Sequence, residues 1–409
     1  MGIKNINKFL KDNFDANKIY KTVPGSEFAG SRVAIDATNQ MCSLWSQAHK
    51  DVVGRTDVCL EEPSLVETER VFLVKAKDFV KRLMGCGITP VLVFDGKHPG
   101  QKSDTQKKRR EKKQAVMDKI AEYRRGLDQL DVLERTTKMN SELRTLYLQV
   151  NSPSYSAIGT LRSILTEMGI PVLQAVGEAE QLCCMLYLDG YVSAVMSTDT
   201  DVMTYSCSLL ITGFSGGAYN PQTGRYETQF TCVYLNSILQ ELKMTYPMFV
   251  DFCIMCGCDY NTNMPRIAAG KSYKLLTEFG SIENLPGKYD TSCLNYEFCR
   301  DQFKYRRATE LSETHFTTCG VDVGRFEHCR GELLRYGVES WYDEFQPLIR
   351  QLSEPPPERV VVNRAPLPVK LNVRTVRSSQ PQEHPQDSQA PTWSSPMNYI
   401  DAMLADLDS

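Results

Sequence analysis

The 409-residue sequence predicts an α/β fold in which a mostly parallel central sheet is flanked by helices. Short β-branched or apolar runs alternate with longer segments whose apolar residues recur at helical spacing. Buried strands separated by helices are typical of a parallel sheet that is covered on both faces. Hydrophobic residues make up 42% of the chain, which is enough for a large core.

Each predicted element rests on its local pattern. The predicted strands are residues 33–37, 90–95, 172–176, 192–197 and 209–214, and the clearest predicted helices are 69–83 and 157–168.

The longest apolar runs are a handful of residues, whereas a membrane span needs about 20. Residues 1–25 contain no secretory signal, and most of the 14 cysteines have apolar neighbours. We therefore expect an intracellular protein with reduced thiols and exclude membrane and secreted classes.

The composition changes near residue 353. Nine of the 20 prolines lie in residues 353–409, among Ser- and Gln-rich sequence. Such a segment buries too little apolar surface to offset its ordering entropy, so we predict a disordered tail at 353–409 and a folded part at 1–352. The acidic end of the tail, 397–404, fits either a short partner-binding helix or a solubilising terminus.

Three predicted strands end in an aspartate: Asp36, Asp95 and Asp199. The carboxyl ends of parallel strands share one edge of a sheet, where ligands normally bind, so these side chains are expected to converge. Further acidic candidates are Asp201, Glu178, Glu180 and Asp259. Asp201 faces the same way as Asp199 in an extended segment, and the two glutamates open a helix that follows another strand.

Any one of these carboxylates is also explained by helix capping or by the helix dipole. That explanation fails for the set, because five to seven converging negative charges repel one another unless a divalent cation neutralises them. Oxygen ligands without His or Cys favour Mg²⁺ or Mn²⁺. Carboxylate-held magnesium usually shares phosphate oxygens, so the expected substrate is a phosphate ester, attacked in line by water that two metals activate.

A basic segment follows Asp95 directly. It contains Lys97, Lys102, Lys107, Lys108, Arg109 and Arg110, and basic residues continue to about residue 138. A run of Lys and Arg on a helix is usually a solvated face, but its position after a predicted metal ligand favours contact with a phosphate backbone. Lys102 and Arg109 are seven residues apart, so two turns of helix place them on one side.

The ordered set of motifs resembles the XPG-type structure-specific 5′ nucleases, most closely the flap endonucleases. The matching pieces are Met1-Gly2-Ile3, VAIDA at 33–37, FDGK at 94–97, EAE at 178–180, TDTD at 198–201 and GCDY at 257–260. Each piece is short, but together they follow the family order over about residues 1–285. The resemblance implies a PIN-like 5′ nuclease fold.

The resemblance assigns roles residue by residue. It implies one metal held by Asp36, Asp95, Glu178 and Glu180 and a second held by Asp199, Asp201 and Asp259. The expected cofactor is two Mg²⁺ ions, with Mn²⁺ as an alternative. Lys102 and Arg109 match the pair in a helical arch that polarises the scissile phosphate, and Gly2 matches a glycine packed near the active site. The other expected DNA contacts are Lys97, Lys107, Lys108, Arg110, Arg266 and Lys271.

The resemblance also divides the predicted folded part. The expected divisions are an N-terminal region (1–99), a basic helical arch (about 100–150), an internal region (151–248), a helix–two-turn–helix element that grips duplex DNA (about 249–285) and a C-terminal helical part (286–352).

Three features depart from the family pattern. The turn of the DNA-binding element, residues 266–270, lacks the leading glycines that support a potassium ion, which puts potassium binding in doubt. Cys42 replaces an aromatic residue that stacks on a base, and Trp45 is a candidate replacement. The sliding-clamp motif near the C-terminus of cellular members is absent. Such divergence suits a viral or otherwise specialised member.

The main hypothesis is a monomeric, Mg²⁺-dependent 5′ endonuclease that cuts flapped or branched DNA near the junction, in replication or repair. It would act in the nucleus or at a viral DNA replication site. The alternatives on the same fold are a 5′–3′ exonuclease and a Holliday-junction resolvase. A catalytically silent DNA-junction scaffold is a third hypothesis, which the retention of all seven carboxylates disfavours.

Overall fold

The computed structural model describes residues 2–96, 103–220, 225–304 and 340–353. Lys97 and Lys102 lie outside these ranges, as do residues 305–339 of the predicted C-terminal part and the predicted tail beyond Ser353. The predictions for those residues stay predictions.

The described residues form helices on both sides of one sheet. The helices are α1 (Ile6–Asn13), α2 (Ala16–Ile19), α3 (Ala37–Arg55), α4 (Leu65–Gly85), α5 (Ser103–Leu127), α6 (Thr137–Gln149), α7 (Tyr155–Glu167), α8 (Ala179–Leu188), α9 (Leu235–Leu242), α10 (Tyr246–Cys256), α11 (Ala269–Phe279), α12 (Tyr296–Gln302) and α13 (Trp341–Ser353). The strands are β1 (Tyr20–Pro24), β2 (Arg32–Asp36), β3 (Thr89–Phe94), β4 (Val172–Gln174), β5 (Ala194–Met196), β6 (Leu209–Asn220) and β7 (Arg225–Tyr234). Among the described helices, none has the length and apolarity that crossing a membrane requires.

The seven strands lie in the order β1-β7-β6-β5-β2-β3-β4. Strands β4, β3, β2, β5 and β6 are parallel, and β7 and β1 are antiparallel additions at one side. The predicted α/β fold with a mostly parallel sheet is confirmed. The prediction missed β1 and β7, because both contain several polar residues and lack the continuous apolar run of a central strand.

The sheet separates two apolar cores. Ala34, Val91 and Val195 point into the core formed with α1 and α8–α11, whereas Val33 and Ile35 point into the core formed with α3, α4, α7 and α13. Both faces of the central strands are therefore buried, which explains their uninterrupted hydrophobicity. The open carboxyl edge of the parallel strands is left for polar residues.

Helices α5 and α6 form a pair, and most of the basic segment lies on α5. A small core that includes Leu127 and Leu143 joins this pair to the end of α3. The guanidinium groups of Arg124, Arg135 and Arg144 donate to the carbonyls of Val58, Cys59 and Thr56, at 3.2, 2.7 and 2.7 Å. These bonds anchor the helix pair to the segment that follows α3.

An ion pair ties α12 to α10. Arg300 donates from Nε and Nη2 to the two carboxylate oxygens of Asp251, both at 2.7 Å, and also binds Glu283. The Asp251 side chain is 4% exposed and that of Arg300 is 30% exposed. The bidentate geometry offsets the cost of burying the aspartate charge.

We expect Arg300→Met to destabilise the protein by about 2–4 kcal/mol, because it leaves the Asp251 carboxylate buried without its cation. The matched control is Lys304→Met, which removes a surface pair with Asp301 (3.2 Å) and should cost less than about 1 kcal/mol. Urea unfolding of both variants measures the difference. Equal losses in the two variants would contradict the structural role of the Arg300 pair.

Candidate active site

Three buried carboxylates meet at the carboxyl edge of the sheet. One oxygen each from Glu180, Asp199 and Asp201 lies within 4.8 Å of the others. Asp199 follows β5 and caps a short 3-10 helix, Thr200–Tyr205, by accepting from the Asp201 N–H at 3.2 Å. Glu180 lies in the first turn of α8. The capping bond of Asp199 and the start of α8 thus bring acidic side chains from two separate parts of the chain together.

Asp36 joins this group through a serine. Asp36 ends β2 and caps α3, accepting from the Asn39 N–H at 3.0 Å. The Ser197 hydroxyl donates to Asp36 Oδ2 at 3.0 Å and accepts from the Asp199 N–H at 3.0 Å. Burial raises the pKa of Asp36 to about 7, and the negative charges of Asp95 and Asp199 raise it as well.

Asp95 fastens the end of β3 to its neighbours. Its Oδ1 accepts from the Ala179 N–H at 2.7 Å, and its own N–H donates to Thr38 Oγ1 at 2.9 Å. The Gly96 N–H donates to the Gly177 carbonyl at 2.7 Å. A Cβ on Gly96 would collide with the carbonyl oxygens of Ala175 and Val176, so only glycine fits this close approach.

Residues 2–4, the N-terminal segment, lie against the carboxylate cluster. Gly2 has φ +92°, and a Cβ there would collide with Asp199 Oδ1 and lie 2.7 Å from Thr200 Oγ1. The Ile3 N–H donates to Thr200 Oγ1 at 2.9 Å. The Lys4 N–H donates to the Gly257 carbonyl at 3.0 Å. The segment therefore spans from the cluster to the end of α10.

The other two predicted metal ligands lie at the start of α8 and after the end of α10. Glu178 is the buried N-cap residue of α8, and Asp259 lies half-exposed in the turn after α10. The next residue, Tyr260, has its hydroxyl 3.5 Å from that of Tyr205, at the end of the 3-10 helix that carries Asp201. Glu180, which the resemblance groups with the first metal, lies with Asp199 and Asp201 of the second set.

The cluster fits a divalent cation. Its three members are carboxylates, all buried, and at 4.8 Å or less their charges repel strongly in a medium of low dielectric constant. Oxygen-only ligands of this kind suit Mg²⁺ or Mn²⁺ rather than zinc. A bound cation would be held by Glu180, Asp199 and Asp201.

The predicted DNA contacts fall on two elements. Lys107 and Arg110 are exposed on α5, whose backbone also carries Lys108 and Arg109; the side chains of the latter two lie outside the described residues. Arg266 and Lys271 are exposed at the turn between α10 and α11 and in the first turn of α11. Arg266 adopts a left-handed conformation (φ 61°) at a position without the family glycine.

Sequence reasoning missed the polar residues that support the carboxylates. Ser197, Thr38 and Thr200 each bond to a carboxylate residue or to the N-terminal segment, and single hydroxyls in loops give no pattern that identifies them. The proposed stacking role of Trp45 was wrong: this side chain is 3% exposed and packs edge-on against Phe72 in the core.

The chain matches the XPG N-terminal domain over residues 1–116 and the XPG I-region over residues 169–259. It is 31% identical over 287 residues to flap endonuclease 1-A of Sorghum bicolor, a match that covers 70% of this chain and 68% of that protein. This chain is a member of the XPG family of nucleases. The family assignment makes it a phosphodiester hydrolase.

Other XPG-family relatives extend the comparison. The chain is 28% identical over 364 residues to the probable RAD2-like endonuclease 076L of Invertebrate iridescent virus 3, covering 76% of this chain and 88% of that protein. Flap endonuclease-1 from Methanococcus jannaschii has the same fold, with a TM-score of 0.51 at 21% identity, over 83% of this chain and 98% of that one. The catalytic core of Rad2 in complex with DNA substrate gives a TM-score of 0.52 at 17% identity, over 85% and 100%.

Proposed function

We propose that this XPG-family nuclease is a Mg²⁺-dependent 5′ endonuclease that cuts flapped or branched DNA near the junction of single strand and duplex. The observation that carries the proposal is the buried cluster of Glu180, Asp199 and Asp201 at the carboxyl edge of the sheet. The similarity to relatives named flap endonuclease supports flapped DNA as the substrate.

Two metal sites share the seven carboxylates in this proposal. Asp36, Asp95, Glu178 and Glu180 serve one site, and Asp199, Asp201 and Asp259 serve the other. One oxygen of Glu180 lies within 4.8 Å of oxygens of Asp199 and Asp201. Bound there, divalent cations supply Lewis-acid activation of water and charge stabilisation at the phosphate. Ser197 links Asp36 to Asp199 through its two hydrogen bonds, and burial keeps bulk water from Asp36 and from the cluster of Glu180, Asp199 and Asp201.

The basic side chains of the protein position the DNA in this proposal. Helix α5 presents Lys107 and Arg110 to solvent, and we propose that this helix, with Lys97, Lys102, Lys108 and Arg109, receives the 5′ single strand. Lys102 and Arg109 would contact the scissile phosphate. The exposed Arg266 and Lys271 would contact the backbone of the duplex. The left-handed conformation of Arg266 is a strained one that a functional contact explains.

The experiment is cleavage of a 5′-labelled flap DNA by the full chain with Mg²⁺, with Mn²⁺ and with EDTA. Nicked, gapped and four-way-junction substrates are tested in parallel. We expect one product released near the junction of the flap substrate with either cation and no product with EDTA.

Each other outcome assigns a different activity. A mononucleotide ladder would replace the proposal with a 5′–3′ exonuclease, and paired symmetric cuts of the four-way junction would replace it with a dimeric resolvase. Tight junction binding without any product would favour a silent scaffold. A flap endonuclease would act in DNA replication or repair, in the nucleus or at a viral replication site.

A further inference from the structure

Arg162, on α7, is a half-buried cation whose charge the described part of the protein leaves without an anion. Its guanidinium carbon lies 4.8 Å from the centre of the Phe94 ring. In the described residues it has neither an ion pair nor a hydrogen bond. Burial lowers the pKa of this guanidinium. Removing the charged group from water is therefore unfavourable, and no neighbouring carboxylate among the residues that the structure describes offsets that cost.

Arg162 lies near the carboxyl edge of the parallel strands, where the carboxylate cluster is. Phe94 is the last residue of β3 and immediately precedes Asp95. Helix α7 leads into β4, which runs parallel to β3, so α7 runs antiparallel to both and begins at their carboxyl edge. Side chains of a helix lean toward its N-terminus, and Arg162 therefore reaches up toward the carboxyl edge.

Several other described arginines bond to carbonyls or carboxylates, as the bonds of Arg135 to Cys59 and of Arg300 to Asp251 show. Arg82, in contrast, also lies over a phenylalanine ring, which makes it a suitable control. An arginine that lies over an aromatic ring leaves its N–H donors available for other partners. At an edge crowded with carboxylates, a fixed cation with open donors is complementary to a polyanion.

We propose that Arg162 binds a phosphate of the DNA strand that enters the carboxylate cluster, next to the phosphate that is cut. Phe94 acts as its platform and fixes the plane of the guanidinium before the DNA arrives. This inference rests on the proposed nuclease function and adds a DNA contact outside α5 and the α10–α11 turn.

The test uses Arg162→Met and a matched control, Arg82→Met. Methionine keeps an unbranched apolar chain over Phe94 but removes the charge. Arg82 also stacks on a phenylalanine, with its guanidinium carbon 5.2 Å from the Phe214 ring, but it lies in the last turn of α4, at the opposite edge of the sheet. Affinity for flap DNA, and for the same duplex without a flap, is measured in EDTA over a series of KCl concentrations.

For Arg162→Met we expect flap binding about three- to tenfold weaker, with the slope of log Kd against log salt reduced by about 0.7–0.9, the loss of one phosphate contact. Arg162→Lys should restore the slope, because it keeps the charge, and Arg82→Met should match wild type. The loss should be larger for the flap than for the plain duplex.

Wild-type affinity and slope in Arg162→Met would overturn the proposal, as would an equal loss in Arg82→Met. A change in thermal unfolding of Arg162→Met without a change in slope would make the residue structural. If the wild-type protein itself bound no flap DNA, the proposed nuclease function would fail, which is a separate result.

Discussion

Replacement of Asp199 by asparagine is expected to reduce cleavage of flap DNA by roughly 10²–10³-fold or more while leaving DNA binding nearly unchanged. The Asp199 oxygen lies within 4.8 Å of oxygens of Glu180 and Asp201, so the loss of its charge weakens cation binding at the centre of the cluster. Asparagine keeps the acceptor that caps the 3-10 helix through the Asp201 N–H. Single-turnover cleavage and binding in EDTA separate the two effects.

The same variant should stabilise the metal-free protein by about 1–3 kcal/mol, since it removes one of three buried like charges. Asp78→Asn, at an exposed position of α4, is the control and should change neither cleavage nor stability. Residual cleavage within tenfold of wild type would contradict the assignment of Asp199 as a metal ligand.

The pH dependence of stability gives an independent check on the same cluster. Asp36 has a folded-state pKa of about 7, above its ordinary value near 4, so the folded state binds more protons than the unfolded state between these pH values. The metal-free wild type should therefore lose stability as the pH rises from about 4 to about 7. The decline should be smaller in Asp199→Asn, because Asp199 is one of the charges that raise the pKa of Asp36.

Gly96→Ala is expected to reduce cleavage by about 10²-fold and to destabilise the protein by about 1–3 kcal/mol. The added Cβ would collide with the backbone of Ala175 and Val176, so either the end of β3 or the β4–α8 connection must shift. Asp95 directly follows the end of β3, and the β4–α8 connection carries Glu178 and leads into the first turn of α8, which carries Glu180. A small displacement of either would spoil the placement of the carboxylates.

The control for this prediction is Gly159→Ala, in the middle of α7. A Cβ at Gly159 has no atom within 4 Å, and alanine should raise stability by about 0.5–1 kcal/mol through its helix propensity. Urea unfolding and single-turnover cleavage are measured for both variants. If Gly96→Ala cleaved and unfolded like wild type, the close approach of the two connections would have no role in holding the site.

The strand-end aspartates were predictable because a parallel sheet gathers its carboxyl ends at one edge, and Asp36, Asp95 and Asp199 do follow β2, β3 and β5. Strands β1 and β7 were not predictable, because their polar residues interrupt any apolar run and resemble loop sequence. The support given by Ser197 was equally hidden, since a hydrogen bond between residues 161 positions apart exists only in the folded chain. The proposed role of Arg162 was not predictable either, because it depends on a contact with Phe94 that the sequence does not reveal.

The N-terminal segment, residues 2–4, has a consequence for the order of folding. Its bonds to Thr200 and Asn263 join residues 197 and 259 positions apart. The Lys4 N–H also donates to the carbonyl of Gly257. At synthesis rates of about 5–20 residues per second, residue 4 leaves the ribosome roughly 10–50 s before residue 257 is made. Strands β2 to β5 and their acidic residues are complete well within that time. The N-terminal segment is thus synthesised early but cannot complete its bonds until Asn263 has been made.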